Sequence, residues 1–196
     1  MDYGAFYAYL AQLAATDLPP RTRMAGLIDY ARRLRPGLNH KELRAIHWAV
    51  DARGVQRWLS RVFQHEPPPP SVNGLWFGLF TGVFDDGAEG FALALSGCGR
   101  HPAPRWFEAE MTWVPTESEA PSSVLRSFTP DYEDEDSIIE QVVVQGYAAL
   151  AVCAALRALP PLARGPLAVA FGFNAGDALL LGELDAAGWH GDLRVA

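Results

Sequence analysis

The chain has 196 residues, 49% apolar and 20% charged, with a net charge of −7 at pH 7. That length suits one generous domain or a main domain with an appendage, and the balance is that of an ordinary globular protein rather than a disordered or fibrous one. Two cysteines, Cys98 and Cys153, exclude a disulfide framework. The N-terminal MDYGAFYAYL lacks a basic n-region and a cleavage site, so no signal peptide and a cytoplasmic location are expected.

In chain order, residues 2–15 predict a helix with Tyr3, Phe6, Leu10 and Leu13 on one face, broken by Pro19 and Pro20. A second helix runs from Thr22 to Leu34 with Met24, Leu27, Ile28 and Ala31 inward, and Pro36-Gly37 ends it. Asn39 followed by Glu42 has the capping-box spacing. The helix it opens carries Leu43, Ile46, His47 and Val50 inward, then Val55, Trp58, Leu59, Val62 and Phe63 beyond Gly54. Arginines 32, 33, 35, 44, 53, 57 and 61 fall on the outer faces. Four prolines, Pro67 to Pro70, then form a stiff extended boundary. It separates an expected N-terminal helical lobe, 1–66, from a sheet domain, 71–196.

Beyond the prolines the apolar period changes to that of strands. Leu75–Val83 is apolar on both faces and is expected inside a sheet. Asp85-Asp86-Gly87 is a turn, and Phe91–Leu95 returns as a strand. Trp106–Val114 alternates, with Glu108, Glu110 and Thr112 on the polar face, and predicts a half-exposed strand. Residues 115–136 read as loop with one helical turn near Val124. Leu167–Phe173 and Ala178–Leu184 flank Asn174-Ala175-Gly176-Asp177 as a hairpin, and Trp189 falls in a short tail.

Between these strands lies the least ordinary stretch. Asp131, Glu133, Asp134, Glu135 and Asp136 place five carboxylates in six residues, followed by a long helix, to Leu159, in which only Glu140 and Arg157 are charged. The helix has the length of a membrane span, but Gln141, Gln145 and its alanines make it too weakly apolar, so burial against a sheet is expected and no membrane is. Acids at a helix start meet the positive end of its dipole, which offsets only part of their mutual repulsion. The density fits a patch for a basic protein; a solvated loop and a divalent-ion site stay open, although the run lacks the glycine of a calcium loop. Charge is also divided along the chain. Residues 1–66 hold ten Lys/Arg and six Asp/Glu, a net of +4, while residues 67–196 hold six and seventeen, a net of −11. Such a C-terminal part disfavours nucleic acid and suits a basic partner.

Catalytic and metal motifs are weak. His40 and His47, seven apart on one predicted helix, miss the three- or four-residue step of helical metal ligands. Cys98 and His101 could be a nucleophile and its base, and Glu108 with Glu110 a carboxylate pair, yet a solvated strand face explains the pair better. Gly172–Asp177 lacks the lysine and helix of a phosphate loop. No catalytic, cofactor or metal residue is assigned.

The strand Leu75-Trp76-Phe77-Gly78-Leu79, the helix Gln145-Gly146-Tyr147-Ala148-Ala149-Leu150-Ala151 and the hairpin Val169-Ala170-Phe171-Gly172-Phe173-Asn174-Ala175-Gly176-Asp177 resemble, in kind and order, bacterial immunity proteins of polymorphic-toxin or type VI secretion loci. The resemblance spans residues 70–184. It implies a small cytoplasmic antitoxin that binds and blocks one cognate toxin, and it carries over no site residue. The expectation is an α+β fold: a largely antiparallel sheet of about five strands, covered by one long buried helix, with a cluster of short amphipathic helices before it. The expected function is non-catalytic binding of a toxin with a basic surface through Asp131, Glu133, Asp134, Glu135, Asp136, Glu108 and Glu110. A small hydrolase using the carboxylate pair or the Cys/His pair is the alternative.

Overall fold

The first two helices form where the apolar spacing places them, and their ends follow local chemistry. A computed structural model describes residues 1–99, 110–130, 137–173 and 177–195. Helix α1 spans Tyr3–Ala15, capped by the Asp2 carboxylate, which accepts from Ala5 N at 3.0 Å. Helix α2, Pro20–Leu34, starts two residues earlier than predicted, because a proline in the first turn has no N–H that the helix needs. Asn39 precedes the short α3, His40–Ala45, without a side-chain cap bond. Extended backbone at Ile46 then separates α3 from α4, Trp48–His65, so His40 and His47 do not share a helix as expected.

The restart at Trp48 sets which face of α4 is buried. Trp48, Asp51, Ala52, Val55, Trp58, Leu59 and Val62 face inward, and Val50, predicted to do so, is 54% exposed. The Trp48 indole N–H donates to Leu43 O at 2.8 Å and ties the two helices together across the break.

Five strands follow: β1 Gly74–Val83, β2 Glu89–Cys98, β3 Leu167–Phe173, β4 Asp177–Asp185 and β5 Gly188–Val195, in the order β2-β1-β3-β4-β5. The pairs β1–β2, β3–β4 and β4–β5 are antiparallel, while β1 and β3 are parallel. The sheet is therefore mixed rather than largely antiparallel. Residues 112–120 occupy the free edge of β2, through Leu95 N to Ser118 O, Gly97 N to Trp113 O and Ala120 N to Leu93 O, each 2.8 Å. With that edge taken, β3 lies on the far side of β1 and runs in its direction.

The fifth strand is also not the expected one. In the described part of Trp106–Val114 only Trp113 makes a bridge, to Gly97; residues 106–109 lie outside the described residues. Their place in the count is taken by β5, read from sequence as a tail. Gly188, Gly191, Asp192 and Arg194 dilute its apolar alternation to Trp189, Leu193 and Val195.

The helical turn predicted near Val124 is α5, Ser123–Arg126. The long helix opens as a π-helical turn, Ile139–Val144, and continues as α6, Gln145–Arg157. All but Ala154 and Arg157 of the 13 residues in α6 are buried. The whole segment Ile139–Arg157 is long and apolar enough to cross a membrane, and 78% of its apolar window is buried inside the fold. Helix α2 lies against the π turn and α6; a Cβ on Gly146 would sit 2.8 Å from Leu27 Cδ1, so a larger residue there would have to displace the Leu27 side chain.

Helix α6 packs chiefly on α4 and also reaches β1, β4 and β5, while α1 covers β5. Cover of the sheet is thus shared among helices rather than left to one. Trp58 of α4 meets Phe77 of β1 edge-on at 6.5 Å between centroids. A continuous core joins Phe6 and Leu10, Trp58 and Leu59, Phe77 and Leu93, Leu150, and Phe171, and so draws on both sides of the prolines. The prolines themselves are held by Arg164, whose guanidinium donates to Pro68 O at 2.8 Å, Pro69 O at 3.0 Å and Val72 O.

Leu150, 4% exposed, lies in this core, so Leu150→Ala is expected to cost about 2–5 kcal/mol in thermal or chemical denaturation; a loss below about 0.5 kcal/mol would mean that the site is not core. Arg164→Gln removes charged donors from four carbonyls, those of Pro68, Pro69, Pro70 and Val72, for which we expect about 1–2 kcal/mol of destabilisation and faster proteolysis between Pro67 and Val72. Unchanged cleavage there would show that the prolines hold their path without the guanidinium.

Candidate functional site

A carboxylate on the inward face of a helix must find donors or lose stability. Asp51, 8% exposed on α4, finds four. Tyr147 Oη donates to Oδ2 at 2.5 Å and Ser122 Oγ to the same oxygen at 2.6 Å. Ser123 Oγ and Val124 N donate to Oδ1 at 3.1 and 3.2 Å. One side chain thereby joins α4, the start of α5 and α6. Ser122 in turn accepts from Leu125 N at 3.1 Å and caps α5. Burial, and then the Asp51 charge, push the Tyr147 hydroxyl well above the ordinary tyrosine range, so it stays a donor. Trp48 lies 4.9 Å from the Tyr147 ring and closes the cluster on its apolar side. Sequence reading placed Tyr147 in the helix expected to be buried and missed Asp51; the available signal was an acid at the helical step between Trp48 and Val55.

The same loop is fastened at the other end of α4. Glu66 accepts from Thr116 N at 2.6 Å and Thr116 Oγ1 at 2.5 Å, which holds its carboxyl below the usual glutamate range. Arg61 pairs with Glu117 at 3.1 Å, and Trp58 Nε1 donates to Glu117 O at 2.7 Å. Residues 112–126 therefore run from the edge of β2 across both ends of α4, held by internal bonds throughout.

Of the acids expected to meet a partner, Glu110 alone is among the described residues. It is exposed just before residues 112–126, as are Glu117 and Glu119 within them. Glu108, Asp131, Glu133, Asp134, Glu135 and Asp136 lie outside the described residues. The residues bracketing the acidic run, Pro130 and Ser137, are both buried, and Ser137 O accepts from Gln141 N at 2.9 Å at the entry to the long helix.

Of the candidate pair Cys98 and His101, only Cys98 is among the described residues. It is fully buried beside Ala168 and Ala170 at the end of β2. Burial pushes the Cys153 thiol up to about 12, which makes it a small apolar side chain in practice. Among the described residues, no three His, Cys, Asp or Glu side chains gather as a metal site. Arg23, 5% exposed, has no acceptor for Nε or Nη1, and burial, with Arg157 nearby, lowers its pKa. Compared with family models, curated proteins and solved structures, the chain gives no match.

The described polar clusters act as fasteners, and that role is measurable. Tyr147→Phe leaves Asp51 with three donors and is expected to cost about 1–3 kcal/mol. Asp51→Ala should cost more, since it strands four donors at once. A double-mutant cycle should return a coupling of about 0.5–3 kcal/mol, and additive losses would show that the bond contributes nothing beyond its parts.

Proposed function

We propose that this protein is a non-catalytic binder of the immunity type, which engages a basic protein toxin through its acidic surface. The observation that carries the reading is the charge pattern: five carboxylates in six residues, Asp131 to Asp136, within a stretch of net charge −11. Like charges at that density repel one another, and a basic partner turns the repulsion into attraction. The residues on either side of the run, Pro130 and Ser137, are buried, and the helix that follows is a core element. Exposed Glu110 adds to the same sign of surface, and Glu108 is assigned with it on sequence alone.

Charges on such a surface act over about a Debye length, roughly 8–10 Å in ordinary buffer, and so govern encounter more than residence. Replacing Asp131, Glu133, Asp134, Glu135 and Asp136 by Asn and Gln should therefore slow association with the toxin and flatten its salt dependence. Stability should hold or rise slightly as repulsion is relieved. The partner is recovered by pull-down from the native host, and its activity is assayed with and without this protein. Association rates of parent and variant are then measured at two salt concentrations. Rates that agree within about twofold at low salt would overturn the acidic-surface reading. A partner whose activity is unaffected by saturating protein would overturn the antitoxin reading.

A further inference from the structure

The two edges of the sheet are treated differently. Residues 112–120 cover the edge of β2 with backbone hydrogen bonds. At the opposite edge, β5 pairs only with β4, and no other backbone bond reaches it among the described residues. His190, Gly191, Asp192, Arg194 and Val195 are exposed there. An open row of N–H and C=O groups is a template for another strand.

Charges on an edge strand normally keep such a template unused. Here their order does the reverse for one particular partner. Leu193 turns toward the core, so Asp192 and Arg194 stand on the opposite face of the strand, with side chains 68% and 66% exposed. Their carboxylate and guanidinium lie 3.4 Å apart along the strand, a loose pair that water screens on all sides. Now let a second copy of β5 run antiparallel to the first, with the two-fold axis at Leu193. Each residue then faces the one equidistant from Leu193 in the other copy. Asp192 meets the partner's Arg194, Arg194 meets the partner's Asp192, and the two Leu193 side chains meet on the core side. Opposite charges directly across an antiparallel pair stabilise it, and two-fold symmetry supplies the contact twice.

β5 keeps its strand form across an irregularity at this point. The register shifts between Leu180 and Gly182, so that Leu181 of β4 lies opposite both Asp192 and Leu193 and the extra residue belongs to β5. Gly182 takes φ +141° there, and a Cβ on it would lie 2.1 Å from His190 O, so β5 is drawn close against β4 at this point. The pairing of β5 to β4 thus resumes on both sides of the bulge, which holds the outer edge as a strand to its end at Val195.

We propose that β5 pairs with β5 of a second copy of this chain, joining two five-stranded sheets into one across Leu193. The contact is one strand wide, so the dimer is a weak, concentration-dependent one. This inference does not rest on toxin binding, and either can fail alone. Sedimentation equilibrium of the purified full chain over a wide concentration range should show the 21.4 kDa monomer giving way to a dimer of twice that mass. Asp192→Arg alone, or Arg194→Asp alone, places like charges opposite one another at both symmetric positions and should weaken the dimer about tenfold or more. The double swap of both residues should restore it. Both sites are exposed, and melting curves check that each variant folds. A parent that stays monomeric at every concentration overturns the proposal. So does a dimer that either single reversal leaves intact, or that the double swap fails to restore.

Discussion

The Asp51 carboxylate is the interaction on which the arrangement of this protein depends. It is buried, so its charge must be met inside the fold, and its four donors come from the start of α5, from the loop before it and from α6. Meeting them fixes α4 against α6 and draws the loop down onto both. The loop so placed lies along β2, closes that edge of the sheet, and leaves β3 to pair with the far side of β1.

The second fastening, Glu66 on Thr116, is built differently. Glu66 sits at the solvent-facing end of α4, and its carboxyl is held below the usual range by the Thr116 hydroxyl first and the Thr116 amide second. A depressed carboxylate contributes stability at pH values above its ordinary range and loses it as pH falls through the folded value. The acid limb of stability therefore includes release of Thr116 from the end of α4.

Polar chemistry in the described residues is spent on holding elements together: Arg164 on the proline carbonyls, Trp48 on Leu43, Trp58 on Glu117, and Arg157 on Ala14 O at 2.7 Å. Exposed charge of both signs remains at the surface. Basic residues such as Arg53 and Arg57 lie exposed on α4, and acids dominate the chain after the prolines. Because one continuous core joins the two parts, these signs are carried on a single body, a suitable form for oriented docking with a partner of uneven charge.

Helix periodicity and turn chemistry, which are local, were legible in the residues themselves. The faces of α1 and α2, the internal strand β1, the β3–β4 hairpin, the single turn at Val124 and the buried helix through Leu150 follow from spacing and punctuation alone. The acidic run was legible too, as composition. The sequence could not determine pairings between distant segments, because register and partner are set by competition for edges. Occupation of the β2 edge by residues 112–120, the parallel β1–β3 pair, and recruitment of Gly188–Val195 as the fifth strand were decided that way. The break at Ile46, which turned Val50 outward and Asp51 inward, had the same origin: the apolar period runs through it, and only the bond of Trp48 to Leu43 and the donors waiting for Asp51 select the face that is buried.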